Sequence, residues 1–478
     1  MAEGTKKRSE SIILLALILG MFMTSLDSTI VSVALPTMAL ELGQEGHNTQ
    51  NISWVLLIYT LALCCFVLLW SKIGSNKGYK KVFVTGIAIF TVTSIVIGLC
   101  GFIPQLGLGA IIVLRAVQGL GAGMAIAMSL AMVSVYLPKE KRGSSIGAVT
   151  LAASVGTAFG PAIGGILTAF HWSYIFFINV PVGIICITLC LKFMHVHEVL
   201  PEEKKRLDVV GALLIFMMMF SMILYLNKGK DWGWMSETGI LLIFLVALGA
   251  GAASWWEKRA ADPLITARVF GDTNIRRSNV VGMLLFMSMA GSYLLLPYYF
   301  QFVMGLETMQ YGFILIANSL GMMAAGPLVG KITDRTGDNK KFIVIGSLVC
   351  AFGFFLMMTF NNGTELWFIL VALFLMGAGI GMALVASTNL AYSHAKAGED
   401  GQISGLTNTF RQAGSSAGVA ILNAVFMATL VFNSPLDYNL IPGFRHAFFV
   451  AVIISLIAFA LSMSLVNGRS NGPSETAG

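Results

Sequence analysis

The chain has 478 residues, of which 56% are hydrophobic and only 11% are charged. About a quarter of the residues in a typical soluble domain are charged, so this composition excludes a water-soluble globular protein. The net charge of +7 does not indicate a nucleic-acid partner, because the basic residues lie in short loops between apolar runs and form no long basic segment.

Apolar runs of membrane-spanning length fill the sequence nearly from end to end. Roughly 20 apolar residues cross a bilayer as a helix, so each run predicts one span. In chain order we predict spans at 11–36, 52–73, 82–101, 107–135, 143–168, 174–194, 209–227, 238–257, 277–303, 311–333, 341–360, 366–392, 401–431 and 446–467. This pattern of 14 predicted spans indicates an all-α integral membrane protein.

The distribution of basic residues predicts the orientation of these spans. An even number of spans places both termini on the same side of the membrane. Of the 30 Lys and Arg residues, only Lys228, Lys230 and Arg445 fall in loops on the opposite side. Because cytoplasmic loops are enriched in Lys and Arg, we predict that both termini are cytoplasmic and that the protein lies in the cell membrane, plasma or inner.

Two charged residues lie inside predicted spans, Asp27 in the first and Arg115 in the fourth. Charges at membrane depth are costly and usually functional. At 1.5 Å per residue, Asp27 lies roughly 13 Å below Pro36 and Arg115 roughly 12 Å below residue 107, so the two share a similar depth. An acid and a base at one depth indicate a transporter that handles protons or ions.

Three short matches, each offset by about 258 residues, indicate an internal duplication. The matched pairs are 71–78 with 330–337, 119–125 with 377–383, and Gly156-x-x-x-Gly160 with Gly414-x-x-x-Gly418. We predict a six-helix bundle over 1–200, two inserted spans over 201–270, and a second six-helix bundle with a short cytoplasmic tail over 271–478. Duplicated bundles with a site at their interface are typical of secondary transporters. The chain contains no G-x-x-x-x-G-K-[ST] motif that would indicate ATP binding.

Further motifs carry a family resemblance. The loop after the second span is a degenerate copy of a G-x-L-a-D-r-x-G pattern, with Ser71 and Ser75 in place of Gly and Asp, whereas the copy at 330–337 keeps the Asp and the Arg. The segments 115–123 and 156–165, together with Asn179-Val180-Pro181, match other patterns of the same family. Over nearly its whole length the chain resembles the major facilitator superfamily, specifically its 14-helix drug:proton antiporter branch of multidrug and quaternary-ammonium exporters.

The resemblance implies a major facilitator fold and roles for two sets of residues. It implies a cytoplasmic latch formed by Lys72, Gly78, Asp334, Arg335 and Gly337. It also implies an antiporter motif that makes the fifth span a pliable helix sealing the outer side, formed by Gly156, Gly160, Pro161, Gly164 and Gly165. Glycines at these spacings permit close helix contact, and the proline removes one backbone hydrogen bond.

The resulting hypothesis is proton-coupled export of amphipathic or lipophilic, often cationic, small molecules by alternating access. Asp27 would take a proton from the outer side and release it to the cytoplasm, and its distance from Arg115 would modulate that exchange. The expected partners are the substrate, protons and the lipid bilayer. We expect a monomer with no cofactor and no metal, since no cysteine shows metal-ligand spacing.

Aromatic, Met and polar side chains in the spans are the candidate substrate-binding residues, because such side chains adapt to varied apolar ligands and organic cations. They are Met23, Tyr59, Gln118, Phe286, Met289, Tyr293, Asn318 and Arg411. Arg411 has an equally good interpretation as a structural residue.

Other functions remain alternatives. An exporter of lipids or lipid-like molecules on the same fold is the principal one, followed by an uncoupled facilitator and, remotely, a non-transporting membrane sensor. Gly143-Ser144-Ser145-Ile146-Gly147 and 414–418 fit the G-x-S-x-G pattern of hydrolases. That motif requires a preceding strand, and both copies lie in predicted helices, so we do not expect an enzyme.

Overall fold

The computed structural model describes residues 2–42, 52–103, 107–194, 207–260, 262–396, 398–429, 431–434 and 437–467. In the first half, the helices are α1 (Ala2–Glu41), α2 (Trp54–Cys65), α3 (Val67–Lys77), α4 (Tyr79–Cys100), α5 (Gly107–Tyr136), α6 (Arg142–Thr168), α7 (Tyr174–Phe177) and α8 (Asn179–Phe193). Helices α2 and α3 occupy one predicted span and are bent by 46° at their junction. A 3₁₀ turn at Lys139–Lys141 precedes α6.

The remaining helices are α9 (Val209–Trp232), α10 (Glu237–Glu257), α11 (Ala267–Gly271), α12 (Thr273–Tyr298), α13 (Thr308–Thr336), α14 (Asn339–Met357), α15 (Leu366–Ser393), α16 (Asp400–Ala428) and α17 (Ile441–Met463). A π-helical turn, Tyr299–Val303, extends α12 just after Pro297. A short antiparallel hairpin pairs Val431–Ser434 with Asp437–Asn439, and Val431 lies opposite Asn439. The sequence predicted no strands.

Twelve helices of the described residues are long and apolar enough to cross a membrane, or thirteen if the bent pair α2–α3 is one span. Helix α16 has 29 residues but is not among them, because polar side chains such as Gln402, Asn408 and Arg411 lower its hydropathy. The membrane-spanning character of the chain is therefore clear. The number of 14 spans and the cytoplasmic termini remain predictions.

The two halves use equivalent glycines to pack equivalent helices. In the first half, α6 packs against α1, and a Cβ added at Gly156 would lie 2.5 Å from the carbonyl oxygen of Phe22. In the second half, α16 packs against α12, where a Cβ at Gly414 would overlap the carbonyl oxygen of Met283. This shared packing gives a physical reason for one of the sequence matches.

The inserted helices α9 and α10 pack against each other, and α9 also packs against α2 and α16, so it touches both halves. The predicted boundary between 200 and 201 lies outside the described residues, and the one between 270 and 271 falls inside α11. All six cysteines belong to the described chain, and each is an unpaired, buried thiol.

Candidate functional site

The charge pair at the centre of the first half brings α1 and α5 together. Nη1 of Arg115 donates to Oδ2 of Asp27 at 2.6 Å, and both side chains are 0% exposed. Because a charge buried without a partner is strongly unfavourable, each residue of the pair makes burial of the other possible.

Polar and aromatic groups hold the guanidinium of Arg115 on its other sides. Its Nε donates to the carbonyl oxygen of Val55 at 3.1 Å, and Nη1 also donates to Oε1 of Gln118 at 2.6 Å. The ring of Tyr59 lies under the guanidinium, 4.1 Å from centroid to Cζ, which is a favourable cation–π geometry. Gln118 in turn donates to Oγ of Ser94 at 2.7 Å. The candidate residues Tyr59 and Gln118 thus support the charge pair.

The second oxygen of Asp27 has a partner to which sequence reasoning gave no role. Nδ2 of Asn179, the first residue of α8, donates to Oδ1 of Asp27 at 3.0 Å. Asn179 belongs to the segment 179–181 that contributed to the family resemblance, which was the available signal. Only the three-dimensional arrangement places it on the carboxylate.

Three glycines of the proposed antiporter motif face the turns of α1 that carry Asp27. Added Cβ atoms would meet the backbone nitrogen of Leu26 at 2.9 Å from Gly156 and the carbonyl oxygen of Ile30 at 3.1 Å from Gly164. A Cβ at Gly160 would overlap the hydroxyl of Thr29. The glycines therefore let the α6 backbone approach the charge pair.

The other two members of that motif have different surroundings. A Cβ at Gly165 would meet nothing within 4 Å, so close packing does not require a glycine there. Pro161 lies inside α6, which continues as a helix from Arg142 to Thr168.

The candidate residues of the second half form two separate groups. Arg411 donates from Nη2 to Oγ1 of Thr388 at 2.6 Å, and its Cζ lies 5.4 Å from the ring centroid of Phe286. Tyr293 donates its hydroxyl to Oδ1 of Asn318 at 2.7 Å. Arg411 thus has a structural hydrogen bond, while its Nε is buried without a partner.

The remaining candidates are Met23, which is fully buried in the core of the first half, and Met289, which is partly buried in the core of the second. A cavity of about 350 Å³ lies between α9 and α16, lined among others by Asn227, Trp234 and Asn423. Another of about 430 Å³ lies between α13 and α15. None of the eight candidate substrate residues lines either cavity.

The basic end of the bundle, defined by Lys72, Arg142 and Lys331, is the end predicted to be cytoplasmic. Here Asp334 accepts hydrogen bonds from the backbone N–H groups of Gly143, at 2.7 Å, and Ser144, at 3.1 Å. These groups belong to the first turn of α6, so the carboxylate caps that helix across the two halves.

The other latch residues have diverse environments. Gly78 and Gly337 end α3 and α13 with φ of +100° and +71°, conformations that favour glycine. Arg335 is exposed. Lys72 is buried and donates from Nζ to the carbonyl oxygen of Pro263 at 2.9 Å.

The linker between α10 and α12 touches both halves at the basic end. Besides the bond from Lys72, Thr266 donates its backbone N–H and its hydroxyl to Oε1 of Gln402, each at 3.0 Å. Arg268 pairs with Glu399. Sequence reasoning missed this bridge, because the linker lies outside the repeat and carries no motif.

Removing the Asp334 cap is expected to weaken the contact between the halves at the basic end. In an Asp334→Ala variant, the loss of an N-cap should lower the free energy of unfolding by about 0.5–2 kcal/mol and slow transport. Asp338→Ala is the matched control, because Asp338 caps α14 within one half through the N–H of Lys341. Thermal unfolding and transport rates of both variants check this. Equal losses of transport would contradict a role between the halves.

Reciprocal glycine pairs form the helix crossing beside this cap. A Cβ at Gly143 would lie 2.7 Å from the carbonyl oxygen of Gly330, and one at Gly147 would lie 2.9 Å from the backbone carbon of Gly326. The segment 143–147 that resembles a hydrolase motif is therefore a small-x-x-x-small surface within α6. Its contact with α13 brings the two halves together at the basic end.

Comparisons with known proteins agree with this architecture. The family model "Major Facilitator Superfamily" matches residues 17–419. The multidrug resistance protein Stp of Mycobacterium tuberculosis is 30% identical over 429 residues, covering 88% of this chain and 77% of that protein. The tetracenomycin C resistance and export protein of Streptomyces glaucescens is 31% identical over 425 residues, covering 87% and 76%.

A solved structure shares the fold at low sequence identity. The crystal structure of the human organic anion transporter MFSD10 (TETRAN) superposes with a TM-score of 0.65 at 14% identity, and the match covers 96% of this chain and 99% of that one. This likeness concerns the fold alone.

Proposed function

Because the chain belongs to the major facilitator superfamily, we propose that it exports amphipathic or lipophilic small molecules by alternating access, in exchange for protons. It is a multi-pass protein of the cell membrane and a transporter, not an enzyme, with multidrug exporters among its relatives. The observation that carries the coupling proposal is the buried pair of Asp27 and Arg115.

The pair offers a way to couple proton binding to movement. A proton on Asp27 removes the negative charge that holds Arg115, so protonation weakens the contact between α1 and α5. The glycines of α6 that pack around Asp27 would pass this change to α6, which also packs against α13 of the second half. Protonation would thereby bias the contact between the halves.

The proposed substrate class has two supports. The printed names of the relatives refer to multidrug resistance and to tetracenomycin C resistance and export. The aromatic candidates Phe286 and Tyr293, which are only partly buried, offer faces that suit apolar or cationic ligands. Moving one charge through 100 mV is worth about 2.3 kcal/mol, so exchange of one proton for a neutral molecule could sustain roughly a 50-fold gradient from voltage alone.

Replacing Asp27 by Asn is expected to abolish proton-coupled transport, because the amide cannot exchange a proton at this site. Purified protein would be reconstituted in liposomes that contain a pH-sensitive dye, under an imposed pH gradient, with a panel of lipophilic cations and neutral drugs. Wild type should show substrate-dependent proton flux and Asp27→Asn should show none. Glu237→Gln, an exposed carboxylate in the first turn of α10, is the control and should keep full flux.

Intact proton flux in Asp27→Asn would refute Asp27 as the proton carrier. Substrate movement without proton flux in wild type would favour an uncoupled facilitator.

Export of lipid-like molecules is the second candidate. The cavity between α13 and α15 is lined entirely by apolar side chains, including Phe313, Leu320 and Phe374, which suits an acyl chain. Flux with none of the drugs but transfer of a labelled lipid between leaflets would favour this function.

A further inference from the structure

Among the described residues, Asn179 is the only uncharged residue whose side chain forms a hydrogen bond with Asp27. The contact links the first residue of α8 to the middle of α1, and Asn179 is 1% exposed. The two carboxylate oxygens are thus divided between unlike partners, Arg115 on Oδ2 and Asn179 on Oδ1.

An asparagine amide can serve both forms of a carboxyl group. Its Nδ2 donates to an ionised carboxylate, and its Oδ1 can accept from the O–H of a carboxylic acid after the amide turns over. In this structure Oδ1 of Asn179 is buried without a hydrogen-bond partner, which is unusual for a buried acceptor. The amide therefore has an acceptor free for the protonated form.

The neighbouring groups cannot take over this role. Arg115 has only donors, so it can bind the carboxylate but cannot accept a hydrogen bond from the O–H of the acid. The amide of Gln118 is already engaged, with Oε1 on Arg115 and Nε2 on Ser94.

Few other ionisable side chains lie close to Asp27. Within the described chain, the charged or titratable side chains facing Asp27 are Arg115 on α5 and Tyr59 on α2, whose ring lies under Arg115. Helix α6 carries no ionisable residue after Arg142, and the nearest thiol of α8, Cys186, contacts α1 at Ala16, about three turns from Asp27.

We propose that Asn179 is a positioning residue of the proton site, donating its N–H to ionised Asp27 and offering its carbonyl to the protonated form. This inference rests on the proposed function, in which Asp27 carries the coupling proton. By holding the carboxyl group in both forms, Asn179 sets the pH at which Asp27 exchanges its proton.

The test measures the titration of Asp27 directly in the purified full-length protein. Infrared difference spectroscopy follows the carbonyl stretch of the protonated acid against pH, and the band is assigned by its loss in Asp27→Asn. The variants are Asn179→Leu, which removes donor and acceptor at similar volume, and Asn179→Ser, whose hydroxyl can still donate and accept. Asn279→Leu is the matched control, since Asn279 is a buried asparagine that donates to Ile275 in its own helix.

In Asn179→Leu the midpoint of the infrared titration of Asp27 should move upward by about one pH unit. The sign follows because a hydrogen bond to the charged carboxylate is stronger than one from the neutral acid, so removing both favours the protonated form. Asn179→Ser should shift less, and Asn279→Leu should not shift.

An unchanged midpoint in Asn179→Leu would overturn the inference, and if that variant does not fold, an unchanged midpoint in Asn179→Ala, whose side chain also lacks both donor and acceptor, would overturn it equally. The infrared titration tests the role of Asn179, and the proton-flux measurement tests proton-coupled export, so the two proposals can fail separately. A shifted titration without coupled flux in wild type would refute proton-coupled export and leave the role of Asn179 standing. The absence of any titrating Asp27 band would overturn both.

Discussion

Replacing Arg115 with leucine should lower the free energy of unfolding by about 3–5 kcal/mol, the cost of leaving one member of a buried pair without its counter-charge. Asp27 would keep only the hydrogen bond from Asn179. Leucine also removes the cation–π contact with Tyr59 and the hydrogen bond to Val55.

A double-mutant cycle distinguishes charge from packing. If the unpaired carboxylate causes most of the loss, Asp27→Asn combined with Arg115→Leu should recover most of the stability. Arg259→Leu serves as the control, because Arg259 is exposed and stacks on Trp255, so its loss should cost about 1 kcal/mol or less. The measurement is denaturant or thermal unfolding in one detergent. A double variant as unstable as Arg115→Leu would contradict the argument.

Replacing Gly330 with valine should prevent the present approach of α6 and α13 and reduce export at least about tenfold. A Cβ at this position would overlap the carbonyl group of Gly143 and would lie 2.6 Å from the backbone nitrogen of Ser144. These are backbone atoms, which cannot move aside as a flexible side chain can. The helices would have to separate where Asp334 caps α6.

Gly251→Val is the matched control for this substitution. Gly251 also lies in a long helix, α10, but a Cβ there would meet nothing within 4 Å. Export rates in liposomes and unfolding midpoints should remain close to wild type for Gly251→Val and fall for Gly330→Val. Normal export by Gly330→Val would show that this crossing need not close during transport.

Much of the fold follows from sequence features that act locally. Apolar length predicts most helices, and helical rise places Asp27 and Arg115 at similar depth, where the structure shows them bonded. Helix α16 shows the limit of hydropathy, because its polar side chains bind other helices, as when Ser404 donates to the carbonyl oxygen of Ala127. The sequence analysis nevertheless predicted a span there, at 401–431.

The features that the sequence did not predict depend on which pairs of helices are in contact. In a chain with 51 glycines, a small-x-x-x-small pattern indicates close packing without identifying the partner, so the crossing of Gly143 and Gly330 could not be predicted. The hydrogen bond from Lys72 to the linker joins residues nearly two hundred positions apart. Its acceptor is a backbone carbonyl, which every residue has, so no pattern of side chains in the sequence indicates it. The contact of Asn179 with Asp27 depends in the same way on how α8 meets α1.

The burial of all six cysteines has a practical consequence for establishing orientation. Buried native thiols should react little with a membrane-impermeant maleimide, so single cysteines can be introduced without first replacing the six native ones. Arg335→Cys would place an exposed thiol at the basic end, and Glu237→Cys would place one at the start of α10. If the basic end faces the cytoplasm, intact cells will be labelled only at position 237, and position 335 will react only after the membrane is opened.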